Sequence, residues 1–379
     1  MQARKDDELP ALNAARWVAA TMVVFGHVSL FLLHPVLTWH DGHVGYVLTM
    51  LSRLRFAAVV VFFVISGYLI GGSVLRSPIN WRSYFVNRFS RIYIVLIPAL
   101  ALTATLDGAS HYLLANNPVY AQSWPSGVAG RVAPYDLYGV SNILASVFSV
   151  ESIYTEPMGS NTALWSLGYE WVFYFVFPLI LLPLGTRRKS PSLQLFVTAA
   201  FALVLVAIHR PAGAMYWLIW CAGAAAAAAS FPNPPRPNVT EYWAAILAAF
   251  SLIVFISINI LNTGLSLFVI GMAFAALLTQ RRFLRLSLNP HIDKILADCS
   301  YSLYVTHMPV VAFIIFLCWR ANLLPTSGLP FGLTYVALFS MIVVTALMVA
   351  LVFERLFERN TGRLRRALKG TSKFPVSGS

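Results

Sequence analysis

The stretch LNAARWVAATMVVFGHVSLFLL, Leu12–Leu33, decides how this chain is read. It has the length that crosses a bilayer, where about 20 apolar residues span the hydrocarbon core. It also holds two residues that lipid does not tolerate, Arg16 and His27. Eleven positions apart on a helix of about 3.6 residues per turn, both side chains return to one face, roughly 16 Å apart along the axis. An ionisable side chain inside a span faces the bundle interior, where it is paired, solvated or used. The competing reading makes both of them satisfied structural polars, with Arg16 snorkelling to the inner interface.

Working outward, the composition fits the same class. With 58% hydrophobic residues, 11% charged and a mean hydropathy of +0.71, the chain is neither a water-soluble domain nor a disordered one. The expected fold class is an all-α integral membrane protein. The formal net charge of +13 does not point to nucleic acid, because the basic residues stand in short runs between apolar stretches. Membrane topology accounts for that pattern. Cys221, Cys299 and Cys318 form neither a disulfide framework nor a metal pattern and read as small core residues. His34, His40 and His43 read as solvated loop residues, since their spacing is not that of a zinc site, and no metal is expected. The first apolar stretch lacks a clear cleavage site and is expected to remain in the mature protein.

Ten apolar stretches of spanning length emerge, at 10–33, 54–75, 84–106, 163–184, 192–209, 213–230, 241–260, 264–280, 296–318 and 331–353. The excess of Lys and Arg in alternate connections predicts ten helices with both termini cytoplasmic. One outer connection, Asp107 to Thr162, is much longer than the rest, and a loop of that length is usually functional or disordered. Tyr112, Tyr120, Trp124, Tyr135, Tyr138 and Tyr154 could stack on sugar rings there, with Asp136, Glu151 and Glu156 accepting from hydroxyls. An interfacial aromatic belt is the alternative. The Pro-rich Phe231–Asn238 reads as a stiff connector.

The second stretch contains Ser66, Gly67, Gly71 and Gly72, small residues that permit close helix approach. The third opens with Arg88 and Arg91, which share one helical face. Two guanidiniums at a cytoplasmic boundary can fork onto a phosphate, although on spacing alone positive-inside anchoring is the favoured reading.

These motifs, taken together, resemble the acyltransferase 3 family. Its members begin with a pattern near LDGLRGIAALLVVxFH and continue through FFVLSGFLI, an RxxR pair, LWSLxxE and SYSLYLxH. Here Leu12–Arg16 is followed by His27, then Phe62–Ile70 reads FFVISGYLI, and Arg88 and Arg91 form the pair. Leu164–Glu170 reads LWSLGYE, Ser300–His307 reads SYSLYVTH, and Phe357-Glu358-Arg359 resembles the terminal element of the family. Asn13 and Ala14 stand where the pattern has Asp and Gly, which removes an acid at that position. The resemblance assigns 1–360 to the transmembrane acyltransferase unit and 361–379 to a basic cytoplasmic tail. It matches the stand-alone form, without the periplasmic hydrolase-like domain that some members append.

The resemblance implies an O-acyltransferase of the inner membrane that uses acyl-CoA, most often acetyl-CoA. The expected acceptor is a hydroxyl of a glycan or lipid-linked glycan, and no metal takes part. Arg88 and Arg91 are then expected to bind the donor phosphates, with Arg16 steering the donor. His27 is the expected catalytic residue, because a neutral imidazole can take the acceptor proton or the acyl group itself. Glu170, expected at a depth comparable to His27, would orient it or contact the acceptor. His307, one turn beyond Tyr304 and close to Pro309, reads either as a donor-channel residue or as a histidine bonded to a carbonyl freed by the proline. Tyr304 and Trp165 are weaker substrate-channel candidates, while Tyr301 and Tyr174 read as packing. The rival functions are a transporter that exports a polar metabolite or glycan without chemistry, and an assembly or sensory protein of an envelope glycan pathway.

Overall fold

A computed structural model describes residues 9–32, 42–76, 80–114, 138–151, 155–181, 201, 211–230, 263–325 and 329–369. The expected spans 192–209 and 241–260 lie outside the described residues, apart from Phe201. So do Tyr120, Trp124, Tyr135, Asp136, Tyr154, His34, His40 and the Phe231–Asn238 connector.

Among the described residues every regular element is helical. In chain order these are α1 (Pro10–Leu32), α2 (Gly42–Arg76), α3 (Trp81–Leu114), α4 (Val140–Phe148) and α5 (Trp165–Leu181), the last entered by a 3₁₀ turn at Thr162–Leu164. Then follow α6 (Pro211–Ser230), α7 (Thr263–Leu278), α8 (Arg281–Leu284), α9 (Pro290–Asp298), α10 (Ser300–Arg320) and α11 (Leu333–Leu356). A 3₁₀ turn at Glu358–Asn360 leads into α12 (Thr361–Lys369). Six of the described helices are long and apolar enough to cross a membrane, so this is a multi-pass all-α membrane protein. Two helices greatly exceed their expected spans: α2 has 35 residues and α3 has 34, each about 50 Å long against roughly 30 Å of hydrocarbon. Their polar ends continue the helix beyond the apolar stretch, which hydropathy alone does not register.

Small residues set the central packing. A Cβ on Gly67 would collide with the Trp220 carbonyl oxygen of α6, and one on Gly223 with the Val64 carbonyl oxygen of α2. At Gly71 it would stand 2.6 Å from the Ala224 Cβ. In lipid, where burial of apolar surface gives no preference for a neighbouring helix, this close fit holds α2 on α6. Gly26 does the same between α1 and α2, where an added Cβ would meet the Ser52 carbonyl oxygen at 2.8 Å.

Two apolar cores result. One gathers α2, α3, α5 and α6 around Trp217 and Trp220, and the other gathers α1, α10 and α11 around Phe31, Met308 and Phe316. Helix α10 is almost entirely enclosed. Its Pro309 lacks an N–H for the Val305 carbonyl, and the freed oxygen accepts from Asn161 Nδ2 at 2.8 Å. Asn161 Nδ2 also donates to Thr103 Oγ1 on α3 at 3.1 Å, so the segment before α5 is stitched into the bundle. Asp293 accepts from Trp17 Nε1 (2.8 Å), Ser287 Oγ (2.6 Å) and the Leu288 N–H (2.9 Å), which anchors α9 to α1. All three cysteines are free thiols.

The long outer connection differs from its expected form. Helix α3 carries the chain on to Leu114, α4 occupies Val140–Phe148, and the chain then turns inward. Glu151 is fully buried, so its carboxylate is not offered to solvent, and the Tyr138 hydroxyl donates to Asp107 Oδ2 at 2.8 Å. Ser160 N–H binds the same Asp107 oxygen at 2.7 Å. Backbone that turns inside a bundle needs such polar partners, and these side chains serve that need. Tyr112 and Glu156 are exposed.

Candidate active site

The RxxR pair, the LWSLGYE segment and the SYSLYVTH segment converge on one cavity of about 100 Å³. Arg16 of α1 reaches it, as do Ser66 and Leu69 of α2, Arg88 and Arg91 of α3, Ser166 and Glu170 of α5, and Ser300, Tyr301 and Tyr304 of α10. A water needs roughly 10–15 Å³ by this measure, so the space suits several waters or a small acyl thioester. It is too small for a nucleotide, which would have to lie at the mouth.

Charge is concentrated on one side. Arg88 and Arg91 sit one helical turn apart, and the Arg88 guanidinium lies 5.6 Å from the ring of Tyr84 and 5.7 Å from that of Tyr174. Arg88 Nε and Asn87 Oδ1 are buried with no hydrogen-bond partner. Arg16 lies within electrostatic reach of Arg91, Glu358, Asp298 and Glu170. Glu358, from the terminal element of the motif set, accepts from Ser302 Oγ at 2.6 Å and from the Ser302 N–H at 3.1 Å. It thus ties the end of α11 to the start of α10.

Glu170 is the terminus of a hydrogen-bond chain. Trp220 Nε1 donates to Ser66 Oγ at 3.1 Å, Ser66 Oγ to the Tyr174 hydroxyl at 3.4 Å, and the Tyr174 hydroxyl to Glu170 Oε1. Every donor in the chain points toward the carboxylate. Deeper in the cavity, the Tyr304 hydroxyl donates to the Ala163 carbonyl at 2.8 Å. Its one proton being used there, the 2.6 Å contact with Ser166 is donated by Ser166 Oγ.

Behind Tyr304 lies the second polar centre. His27 Nδ1 and His307 Nε2 are 3.1 Å apart, with the rings stacked at 5.2 Å, and both residues are buried. His307 Nδ1 faces the carbonyl oxygens of Leu303 (3.1 Å) and Tyr304 (2.8 Å). Carbonyl oxygens only accept, so His307 Nδ1 carries the proton and its Nε2 carries a lone pair. With both rings neutral, the 3.1 Å bond is donated by His27 Nδ1–H. The His27 ring also reaches the Val23 carbonyl, which only accepts, and with Nδ1 carrying the proton His27 Nε2 holds the lone pair, the form a general base requires. His307 thus joins carbonyls of its own helix, while Asn161 takes the carbonyl freed by Pro309.

The arrangement sorts the expected residues into two groups. Arg16, Arg88, Arg91, Glu170 and Tyr304 share the cavity wall. His27 and His307 form a pair behind it, connected through Tyr304, whose ring stands 6.0 Å from that of His307. Glu170 is grouped with the arginines rather than with His27, because eleven residues of α1 separate the levels of Arg16 and His27. Trp165 does not line the cavity and packs on Tyr216 at 5.6 Å. Tyr174 and Tyr301 belong to the wall, although the sequence reading treats them as packing. The spacing of Glu170 and Tyr174, one helical turn, is the signal that would have found the first. Arg55 is also buried, its guanidinium donating to the Ser52 carbonyl and lying 4.3 Å over the Phe56 ring.

Comparison with known proteins follows the same residues. A family model described as an acyltransferase domain matches residues 9–354. Acyltransferase MdmB of Streptomyces mycarofaciens is 29% identical over 195 residues, which are 51% of this chain and 43% of that protein. Nodulation protein 10 of Rhizobium leguminosarum bv. viciae is 30% identical over 211 residues, 51% of this chain and 50% of that protein. The chain therefore spans about half the length of the curated relatives it matches. No solved structure matches. The matched stretch runs through α1, α2, α3, α5 and α10, the helices that build both the cavity and the histidine pair, and the chain belongs to the acyltransferase 3 family.

Proposed function

We propose that the protein is an inner-membrane O-acyltransferase. It moves an acyl group, acetyl in the simplest case, from cytoplasmic acyl-CoA to a hydroxyl of a cell-surface or exported glycan. The observation that carries this reading is the 3.1 Å bond between His27 and His307, which leaves an unprotonated imidazole nitrogen in the buried interior of the bundle.

The residues divide the work. Arg88 and Arg91 hold the phosphates of the donor at the mouth, and the orphaned Arg88 Nε and Asn87 Oδ1 fit a ligand rich in hydrogen-bonding groups. Arg16 steers the anionic donor inward. Glu170 offsets these guanidiniums and fixes Tyr174 against Arg88. Tyr304 and Ser166, hydrogen-bonded to each other, line the cavity on the side nearest the histidine pair. His27 Nε2 takes the proton of the acceptor hydroxyl as that oxygen bonds to the thioester carbonyl carbon. The C–S bond then breaks, and His27 returns the proton to the departing thiolate. Throughout, His27 Nδ1–H stays on His307 Nε2, so the imidazolium that forms briefly has an acceptor ready.

Purified membranes supplied with acetyl-labelled acetyl-CoA test this. Native protein is expected to transfer label to an ester-linked glycan fraction and His27→Ala is not. Equal incorporation by both would overturn the catalytic role of His27. Label that goes to a small molecule would overturn the glycan acceptor, and no label with either chain would leave the transporter in its place.

A further inference from the structure

The C-terminal helix α12 lies beyond the stretch that matches the family, and its sequence TGRLRRALK has the look of a positive-inside tail. A tail of that kind leaves all its cations in water. Here the helix packs against α3, and Lys369 Nζ donates to Ser83 Oγ at 2.7 Å, five residues before Arg88. Arg363 and Arg366 are exposed, whereas Leu364 and Arg365 are half-buried on the inward face. Arg365 Nε is buried without a hydrogen-bond partner, as Arg88 Nε is.

The charged groups that bear on Arg365 are Arg88 and Arg91. Arg365 of α12 is thus brought within electrostatic reach of Arg88 and Arg91, which line the cavity, and while Glu358 and Glu170 keep their charge as they accept from Ser302 and Tyr174, neither bears on Arg365. Like charges gathered in a partly buried place repel, and an anion with several oxygens relieves the repulsion while filling the vacant donors. The mouth is also where a nucleotide must sit, given the size of the cavity behind it.

We infer that α12 supplies Arg365 as the third arm of a phosphate clamp with Arg88 and Arg91, and that the helix forms one wall of the donor's nucleotide subsite. This rests on the acyl-CoA reading above. The shared chemistry is recognition of a phosphate group, which a lipid headgroup also carries, and the test separates the two sources.

Full-length protein in nanodiscs of phosphatidylcholine is titrated with CoA, and its melting temperature is recorded without ligand. Arg365→Gln is expected to weaken CoA binding about tenfold at an unchanged melting temperature, the order expected for one charge-assisted contact. Arg365→Lys recovers part of the loss, and Arg363→Gln, on the exposed face, binds as the native chain does. Unchanged CoA affinity in Arg365→Gln overturns the clamp. So does a loss of affinity that comes with a falling melting temperature and no recovery in Arg365→Lys, which would make Arg365 a packing residue. Reduced retention of phosphatidylglycerol in mixed nanodiscs, with CoA affinity intact, assigns the phosphate to lipid and overturns the donor clamp. Native protein that binds no CoA removes the donor reading and the clamp together, an outcome distinct from a native chain that binds CoA no better than Arg365→Gln.

Discussion

At the scale of single residues, the bond between His27 and His307 converts an intramembrane histidine into one with a defined tautomer. If His307 acts by holding His27, replacing it should damage the rate without abolishing the donor site. His307→Ala is expected to lower kcat by about 10²-fold, within the range of general-base contributions, with the KM for the donor little changed. His307→Gln, whose amide oxygen can still accept from His27 Nδ1–H, is expected to recover part of that loss. A merely structural His307 would show no such recovery and no change in the acid limb of the pH–rate profile. His27→Ala, by contrast, is expected to lose about 10³-fold or more, measured as label transferred per mole of folded protein.

The elements add two expectations. The crossing of α2 and α6 leaves no room at Gly67, where the obstacle is the backbone carbonyl of Trp220 rather than a side chain that could move aside. Gly67→Leu is therefore expected to prevent accumulation of folded protein in the membrane, and an unaltered yield and melting temperature would refute the packing. Asp293 joins α9 to α1 and lies outside the candidate spans. Burial raises the pKa of its carboxyl, but the bonds from Ser287, Trp17, Asn289 and Leu288 outweigh that and hold it below the usual carboxylate range. A group with a depressed folded pKa stabilises above its unfolded pKa, and that stability is lost as pH falls through the folded value. Asp293→Ala is expected to cost about 2 kcal/mol at neutral pH, the order for hydrogen bonds to a charged acceptor. The difference from the native chain should shrink below about pH 4, as read from melting temperatures in detergent.

At the scale of the whole molecule, the fold sets an arginine-lined cavity and, beyond Tyr304, a histidine pair. If Arg88 and Arg91 hold the donor phosphates as proposed, Arg88→Gln and Arg91→Gln are each expected to raise the KM for acyl-CoA about tenfold with kcat nearly preserved, because neither would then touch the reacting carbon. The native KM should also climb with salt, as contacts at an open mouth are screened over about 8–10 Å at ordinary ionic strength. A kcat effect equal to the KM effect would place these arginines nearer the chemistry.

Much of this is written in the one-dimensional pattern. Apolar runs must become helices in lipid, since no other segment satisfies its own backbone there, so α1, α6 and α10 stand close to their expected limits. Arg16, His27, Arg88, Arg91, Glu170 and His307 stand out as costly or clustered polar residues in such runs. What hydropathy does not carry is the continuation of α2 and α3 past the membrane, because a polar helix outside lipid leaves no apolar mark. It also does not carry the inward turn that buries Glu151 and sends Asn161 to the carbonyl freed by Pro309. Pairing is the other thing that only the tertiary structure decides. Glu170 goes with Tyr174 and the arginines, His27 goes with His307 across 280 positions of sequence, and α12 folds back against α3. Spacing along one helix predicts a shared face; which distant helix meets that face depends on close contacts such as Gly67 on Trp220 and Gly223 on Val64, and these exist only once the bundle is assembled.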